Sequence, residues 1–137
     1  QDELVVVFGE RHPLAAQFNS GADLVALRQA RWLLREPGSG TREAAEQALL
    51  PHLHGFAEVL QLGGTEAIKQ GAVAGLGLAC LSRHAVADLV TLGKLRVLAT
   101  PLPPLQRQLW AVRHPGKRIP ASLRQLLGLP ADVFSDD

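Results

Sequence analysis

The sequence of 137 residues has one cysteine, no methionine and almost no net charge, and each scarcity excludes a class of protein. Because Cys80 has no second cysteine to pair with, an internal disulfide and a cysteine-based zinc site are excluded. Fourteen Lys and Arg against thirteen Asp and Glu leave a formal charge of +1, so the basic footprint of a nucleic-acid-binding domain is missing. The longest apolar runs are too short to span a bilayer, and the sequence shows no signal-peptide pattern.

The start of the sequence is unlike that of a translated chain. Gln1 replaces an initiating Met, and the strand-like residues 4–8 follow almost at once. We therefore expect a piece of a longer protein, with a neighbouring domain outside this sequence. Hydrophobic residues at 47% and charged residues at 20% are near the globular average, and the length suits one domain with one core.

Predicted strands and helices alternate along the sequence. The strands are apolar runs between glycine or proline turns, at residues 4–8, 32–34, 56–62, 78–81, 95–98 and 106–112. The helices are expected at residues 22–27, from 41, from 65, at 82–89 and after Pro120, and Pro51 should kink or end the second of them. This alternation predicts an α/β layer with a mostly parallel sheet.

Two glycine turns between a predicted strand and a predicted helix are candidate anion sites. They are residues 37–42, Pro-Gly-Ser-Gly-Thr-Arg, and residues 63–66, Gly-Gly-Thr-Glu. Each places backbone N–H groups and a hydroxyl at a helix N-terminus, which can hold a carboxylate, sulfate, sulfite or phosphate. The alternative is that Ser39 or Thr41 only caps the helix and the glycines only turn the chain.

Charged residues flank both turns. Arg42 is the cation best placed to meet an anion in a planar two-point contact, and it also stands four residues before Glu46, the spacing of a helical ion pair. Glu66 lies in the first turn of the next helix, where a carboxylate stabilises the helix dipole and competes with an anionic ligand.

Signatures of catalysis and of metal binding are weak. His52 and His54 form a His-x-His pair with no cysteine or acidic residue to complete a ligand set, and Cys80 lies in an apolar run that indicates a buried, inert thiol. Gly75 and Gly77 lack the third glycine of a dinucleotide motif. No catalytic residue, metal site or cofactor is predicted.

Two long segments resemble the effector-binding domain of LysR-type bacterial transcriptional regulators. Residues 32–42 read Trp-Leu-Leu-Arg-Glu-Pro-Gly-Ser-Gly-Thr-Arg, and residues 64–82 begin Gly-Thr-Glu-Ala-Ile-Lys-Gln-Gly-Ala-Val. The first strand followed by His-Pro-Leu-Ala at residues 12–15 also resembles that family, and the resemblance covers nearly the whole chain. It implies the α/β fold of type II periplasmic binding proteins, whose lobes are three-layered and Rossmann-like, with a mostly parallel sheet.

The resemblance also implies a domain organisation and a ligand site. Residues 1–104 would be mainly the second lobe (RD-II) and residues 105–137 would return to the first lobe (RD-I), while the winged helix-turn-helix and the start of the first lobe would precede this sequence. The effector would lie in the cleft between the lobes, against the first glycine turn. The expected ligand-binding residues are Gly38, Ser39, Gly40, Thr41, Arg42, Thr65 and Glu66.

The partners follow from the same resemblance. The effector would be a small molecule or an inorganic anion, and the Leu-Trp-Ala-Val-Arg-His at residues 109–114 is similar to sulfite-responsive members. DNA would be bound only through the missing N-terminal domain. The protein would be cytoplasmic and would not interact with a membrane. A row of small residues at helical spacing, Ala67, Gly71 and Gly75, is the expected contact surface of a homodimer or tetramer.

Two other classes remain open from the sequence. One is a periplasmic solute-binding protein of the same fold, which a signal peptide upstream would reveal. The other is an enzyme on a similar frame, which the absence of paired acids and bases or of an activated nucleophile disfavours.

Overall fold

The computed structural model describes residues 2–107, which form six strands and five helices. The strands are β1 (Asp2–Gly9), β2 (Arg31–Leu34), β3 (Glu58–Gln61), β4 (Ala79–Ser82), β5 (Leu95–Val97) and β6 (Leu105–Arg107). The helices are α1 (Ala15–Phe18), α2 (Leu24–Gln29), α3 (Gly40–Leu53), α4 (Thr65–Val73) and α5 (Arg83–Thr91). The predicted helix after Pro120 and most of the predicted strand at residues 106–112 lie outside the described residues.

All six strands belong to one layer, and β1 runs against the other five. β2 and β3 pair in parallel, and a parallel bridge between Trp32 and Leu78 joins β2 to the start of β4. β1 pairs antiparallel with β4 on one side and with β5 and β6 on the other. Five strands therefore run in one direction, but the three pairings that β1 makes are antiparallel because β1 is inserted between β4 and β5. The fold is α/β as predicted, whereas the pairings do not confirm a mostly parallel sheet.

Side chains that alternate between the two faces of the strands form two apolar clusters, one on each face of the sheet. On β1, Val6 and Phe8 belong to a cluster that includes Leu27 of α2 and Leu49 of α3. Their neighbours Val5 and Val7 belong to the other cluster, which α4 and α5 complete with Ile68, Ala72 and Val86. Successive strand residues point to opposite faces, so β1 is covered on both sides. The lobe therefore has three layers, with α1, α2 and α3 on one face and α4 and α5 on the other.

The largest buried side chain, Trp32, fixes β2 against the first helical layer. It is fully buried, its Nε1 donates to the carbonyl of Leu27 at 2.8 Å, and its ring lies 5.6 Å from that of Phe56. A buried indole N–H needs such a partner, because leaving it unpaired costs about 1–3 kcal/mol.

Helix α3 continues two residues past Pro51 and then ends. The proline lies in the last turn, where one missing N–H removes one hydrogen bond, and His54 closes the helix in the left-handed conformation with φ 64°. The N–H of His54 donates to the carbonyl of Leu50 at 2.8 Å. The prediction that Pro51 ends the helix is thus correct to within two residues.

Candidate functional site

Three helices begin at one edge of the sheet, because the strands that precede them end there. β2, β3 and β4 run in the same direction. β2 and β3 are each followed by a turn and a helix, and β4 leads directly into α5, so the N-termini of α3, α4 and α5 share this edge. The N–H of Leu62 donates to the carbonyl of Leu34 at 2.8 Å and joins the ends of β2 and β3 directly. We call residues 37–42, 63–66 and 82–84 at this edge the rim. Ligands of open α/β sheets bind at the carboxyl ends of the strands.

β1 begins and β6 ends at the same edge. β1 is antiparallel to β4, with Leu4 opposite Ser82, so β1 starts beside the rim. β6 then pairs with the first residues of β1, with Asp2 opposite Arg107 and Glu3 opposite Gln106. The start of β1 and the end of β6 therefore lie side by side at this edge.

The first glycine turn contains a hydrogen bond between a side chain and the backbone of the same turn. Ser39 is 6% exposed, and its Oγ accepts a hydrogen bond from the N–H of Arg42 at 3.1 Å, so it is the N-cap of α3 as the capping interpretation predicts. Gly38 has φ +95°, a left-handed conformation that favours glycine. Gly40 and Thr41 are the first two residues of the helix.

Arg42 makes contacts within the chain through Nε and Nη1 of its guanidinium. Its Nε donates to Oε2 of Glu46 at 3.0 Å, which confirms the predicted helical ion pair, and its Nη1 donates to the carbonyl of Arg35 at 3.0 Å. A two-point contact from these same groups to an anion would have to replace both bonds. A ligand contact by Arg42 stays a prediction.

The second glycine turn contains a buried hydroxyl without a partner. Gly64 is the N-cap of α4 and offers no side-chain cap. Oγ1 of Thr65 is buried, and within residues 2–107 no hydrogen-bond partner is found for it. Glu66 is exposed and accepts from Lys69 at 3.3 Å and Gln70 at 3.2 Å, and the bonds to these two residues lower the pKa of its carboxyl.

Basic side chains near the rim are paired with acids. Nε of Arg35, at 7% side-chain exposure, lies 3.0 Å from Oε1 of Glu36. At the start of α5, Arg83 binds Glu3 of β1 through two contacts of 2.9 and 3.2 Å, which lower the pKa of Glu3 and raise that of Arg83. Lys69 and Arg42 have the carboxylate partners given above. The donors at the rim are therefore mainly backbone N–H groups and hydroxyls.

The predicted row of small residues does not form one exposed surface. Ala67 is exposed, but Gly71 is buried, and a Cβ there would lie 3.2 Å from the side chains of Leu33 and Leu62. Gly75 lies beyond the end of α4, with φ +85° and its Cβ position 2.4 Å from the carbonyl of Arg11. The two glycines are small because the chain itself packs against them, which leaves Ala67 as the one exposed member of the row.

The remaining candidate side chains are inert or solvated. His52 lies in the last turn of α3, and His54 is its exposed C-cap. No group of three or more His, Cys, Asp or Glu side chains among the described residues is arranged to hold a metal ion. Cys80 is buried, and burial raises the pKa of its thiol to about 12. In residues 2–107, no helix is long and apolar enough to cross a membrane.

Two features of the rim were not predicted from the sequence. One is Ser82, whose Oγ accepts from the N–H of His84 at 3.2 Å and caps α5. A strand followed by Ser and then by a helical pattern is a detectable signal for such a cap. The other is the side-by-side placement of β1 and β6, which depends on a pairing between residues about 100 positions apart and has no local signal.

The sequence matches the family model described as the LysR substrate binding domain over residues 1–135. It is 43% identical over 135 residues to the HTH-type transcriptional regulator YeiE of Escherichia coli K12, a match that covers 97% of this chain and 45% of that protein. It is 42% identical over 110 residues to the HTH-type transcriptional regulator CfxR of Cupriavidus necator, covering 80% of this chain and 34% of that protein. The chain thus spans between a third and a half of these relatives.

A solved structure supports the same assignment. The regulatory domain of CcmR from Synechocystis, in complex with 2-PG, is 29% identical with a TM-score of 0.62, and the match covers 98% of this chain and 62% of that one. The chain belongs to the LysR substrate-binding-domain family, the effector-binding part of LysR-type transcriptional regulators. The resemblance read from the sequence and the type II periplasmic-binding-protein fold are confirmed. Because the relatives are transcriptional regulators, the solute-binding-protein and enzyme alternatives are not favoured.

Proposed function

We propose that this chain senses a small anion for a LysR-type transcriptional regulator, and that the anion binds at the rim. The observation that carries the proposal is the convergence of residues 37–42 and 63–66 at one sheet edge, where α3 and α4 both begin. Two helix N-termini offer backbone donors and partial positive charge to the same ligand. The buried hydroxyl of Thr65 supports the proposal, because a ligand oxygen would satisfy it.

The ligand lies, on this proposal, between two lobes. Residues 1–104 are mainly one lobe, and residues 105–137 return to the other, whose start precedes this sequence. The support is the pairing of Asp2 with Arg107, which brings the start of β1 and the end of β6 side by side at the rim. Two strands that connect the lobes would need this placement. The match to 62% of the CcmR regulatory domain agrees with a domain larger than this chain.

The effector is recognised mainly by uncharged donors of this lobe. Near the rim Arg35, Arg42, Lys69 and Arg83 each contact a carboxylate, so the attraction for an anion comes from helix ends and hydroxyls. Such donors suit a compact oxyanion. The 2-PG in the CcmR domain and the similarity of residues 109–114 to sulfite-responsive regulators lead us to test 2-PG, sulfite, sulfate and phosphate.

Binding of the effector would be read out as a change at DNA. Closure of the two lobes on the anion favours one arrangement of a homodimer or tetramer over another, and a separate helix-turn-helix region carries the change to the operator. The HTH-type names of YeiE and CfxR support this division of labour. A protein that works on DNA in this way acts in the bacterial cytoplasm.

The test is a calorimetric titration of the full-length protein with the four anions. Thr41→Val removes a rim hydroxyl and should weaken binding of the preferred anion about 10- to 100-fold, the effect of losing one hydrogen bond to a charged group. The matched control is Thr91→Val, the same exchange at the exposed last residue of α5, which should leave affinity unchanged. Equal affinities in all three folded proteins would show that the anion binds elsewhere.

A further inference from the structure

The two glycines of the first glycine turn give its backbone little conformational preference of their own. Gly38 and Gly40 bracket Ser39, and glycine is the residue with the greatest backbone freedom. Around Gly38 no atom lies within 4 Å of a Cβ position, so close packing does not hold it either. A turn that presents N–H groups to a ligand has to be held by other contacts, because an error of 1 Å weakens such a site markedly.

Arg42 makes two contacts that span this turn and a third that anchors its side chain on α3. Its N–H binds Oγ of Ser39, and its Nη1 binds the carbonyl of Arg35, the first residue after β2. Its Nε is held in turn by Glu46, one helical turn further on. The side chain is 17% exposed. The guanidinium therefore ties the end of β2 to the first turn of α3 and closes residues 35–42 into a loop.

The planar fork of arginine is what makes this arrangement possible. Nε and Nη1 point to two acceptors at once, whereas the ammonium of lysine is a single point charge on a flexible stem. The ion pair with Glu46 also neutralises the charge. Both facts fit a structural anchor better than a direct ligand contact.

We propose that Arg42 is a positioning residue for effector binding: it fixes the backbone donors of residues 38–41 and acts on the effector through them. This proposal rests on the proposed anion site at the rim. It goes against the expectation from the sequence, in which Arg42 meets the anion itself.

The experiment uses three variants of the full-length protein. Arg42→Lys keeps the charge and loses the fork, Arg42→Gln loses the charge as well, and Glu46→Gln leaves the guanidinium but removes its anchor. The matched control is Arg31→Gln, which breaks the 2.8 Å Arg31–Glu58 pair at the opposite end of β2. Two quantities are measured: amide hydrogen exchange of residues 38–43, and calorimetric affinity for 2-PG, sulfite, sulfate and phosphate.

Both Arg42 variants should raise exchange in residues 38–43 about tenfold and weaken anion binding by a similar factor, as loss of a net hydrogen-bond contribution would. Glu46→Gln should do the same to a smaller extent. Exchange in β1, which reports global unfolding, should stay near the parent value, and Arg31→Gln should change neither quantity. A general loss of stability would raise amide exchange in β1 as well. Faster exchange confined to residues 38–43, together with weaker anion binding, therefore indicates a local effect on the turn.

Other results would overturn the proposal. Weaker binding with unchanged exchange in residues 38–43 would mean that Arg42 contacts the effector directly. If Arg42→Lys has the exchange rates and anion affinity of the parent protein, the two-point contact of the guanidinium is not needed and a positive charge is sufficient. If the parent itself binds none of the four anions, the proposed anionic effector is wrong, while the exchange rates still decide whether Arg42 holds the turn.

Discussion

At the scale of single residues, Thr65 combines burial with an unmet hydrogen bond. Its Oγ1 lies at the start of α4 and, within the described residues, has no partner. A buried polar group in this state costs about 1–3 kcal/mol in the absence of a ligand or water. Groups that bind ligands often destabilise the free protein in this way, so the unpaired hydroxyl of Thr65 indicates a binding role.

Thr65→Val should therefore weaken effector binding without lowering the stability of the protein. Valine has nearly the same shape as threonine without the hydroxyl, so the free energy of unfolding in urea should stay equal or rise by up to about 1 kcal/mol. Affinity for the effector anion should fall in calorimetry. Lower stability together with unchanged affinity would show that the hydroxyl is satisfied in the native protein and has no part in binding.

The sequence allowed only some of these residue roles to be predicted. The Ser39 cap and the Arg42–Glu46 pair depend on spacings of three and four residues, which a sequence shows directly. The bond from Arg42 to the carbonyl of Arg35 depends on where β2 ends relative to α3. The position of β2 relative to α3 is set by tertiary packing, which the sequence does not show. The sequence alone therefore predicted a ligand contact for Arg42.

At the scale of elements, the turn between α4 and β4 is built around a glycine that nothing larger can replace. Gly75 has φ +85°, and a Cβ would lie 2.4 Å from the carbonyl oxygen of Arg11. Gly93, after α5, has a similar φ of +78° with nothing within 4 Å. Comparing substitutions at Gly75 and Gly93 therefore separates two destabilising effects: the strain of a left-handed backbone, which both sites share, and the steric clash of a Cβ, which only Gly75 has.

Gly75→Ala should destabilise the protein more than Gly93→Ala. Both variants bear the left-handed conformation, about 1–2 kcal/mol, but only the first must also displace the backbone at Arg11, roughly 1–3 kcal/mol more. Urea unfolding of the two variants measures the difference directly. Equal losses would mean that the loop at Arg11 moves aside freely.

Apart from the short helix α1, the order of the described elements could be predicted from the sequence, whereas the direction of β1 could not. Residues 4–8 form a continuous apolar run, which indicates a strand covered on both faces and says nothing of its partners. The structure places its partners at residues 79–107, in antiparallel pairs. Likewise, helical spacing placed Ala67 and Gly71 on neighbouring positions without showing that Leu33 and Leu62 would cover the glycine.

At the scale of the whole molecule, Ala67 is the part of the predicted assembly surface that remains available. It is exposed on α4, on the face of the lobe opposite α3. Ala67→Arg in the full-length protein should weaken self-association at least about tenfold, because a buried unpaired charge opposes contact. Sedimentation velocity measures it.

Ala87→Arg is the matched control, an exposed alanine on α5, the other helix of the same face. It should leave the assembly unchanged. A shift caused by Ala87→Arg and absent from Ala67→Arg would place the contact on α5 and contradict the assignment.

The pairing of β1 has a consequence for the way the protein is made. A ribosome delivers residues 2–9 before their partners, because every strand that pairs with β1 among the described residues lies at residue 79 or later. At about 5–20 residues per second, the apolar run Leu4-Val5-Val6-Val7-Phe8 waits several seconds without its strand partners. A short, uncharged segment rich in β-branched residues is prone to associate with its like during such a delay. The nascent chain is therefore expected to need a chaperone from the appearance of β1 until β4 and β5 have left the exit tunnel.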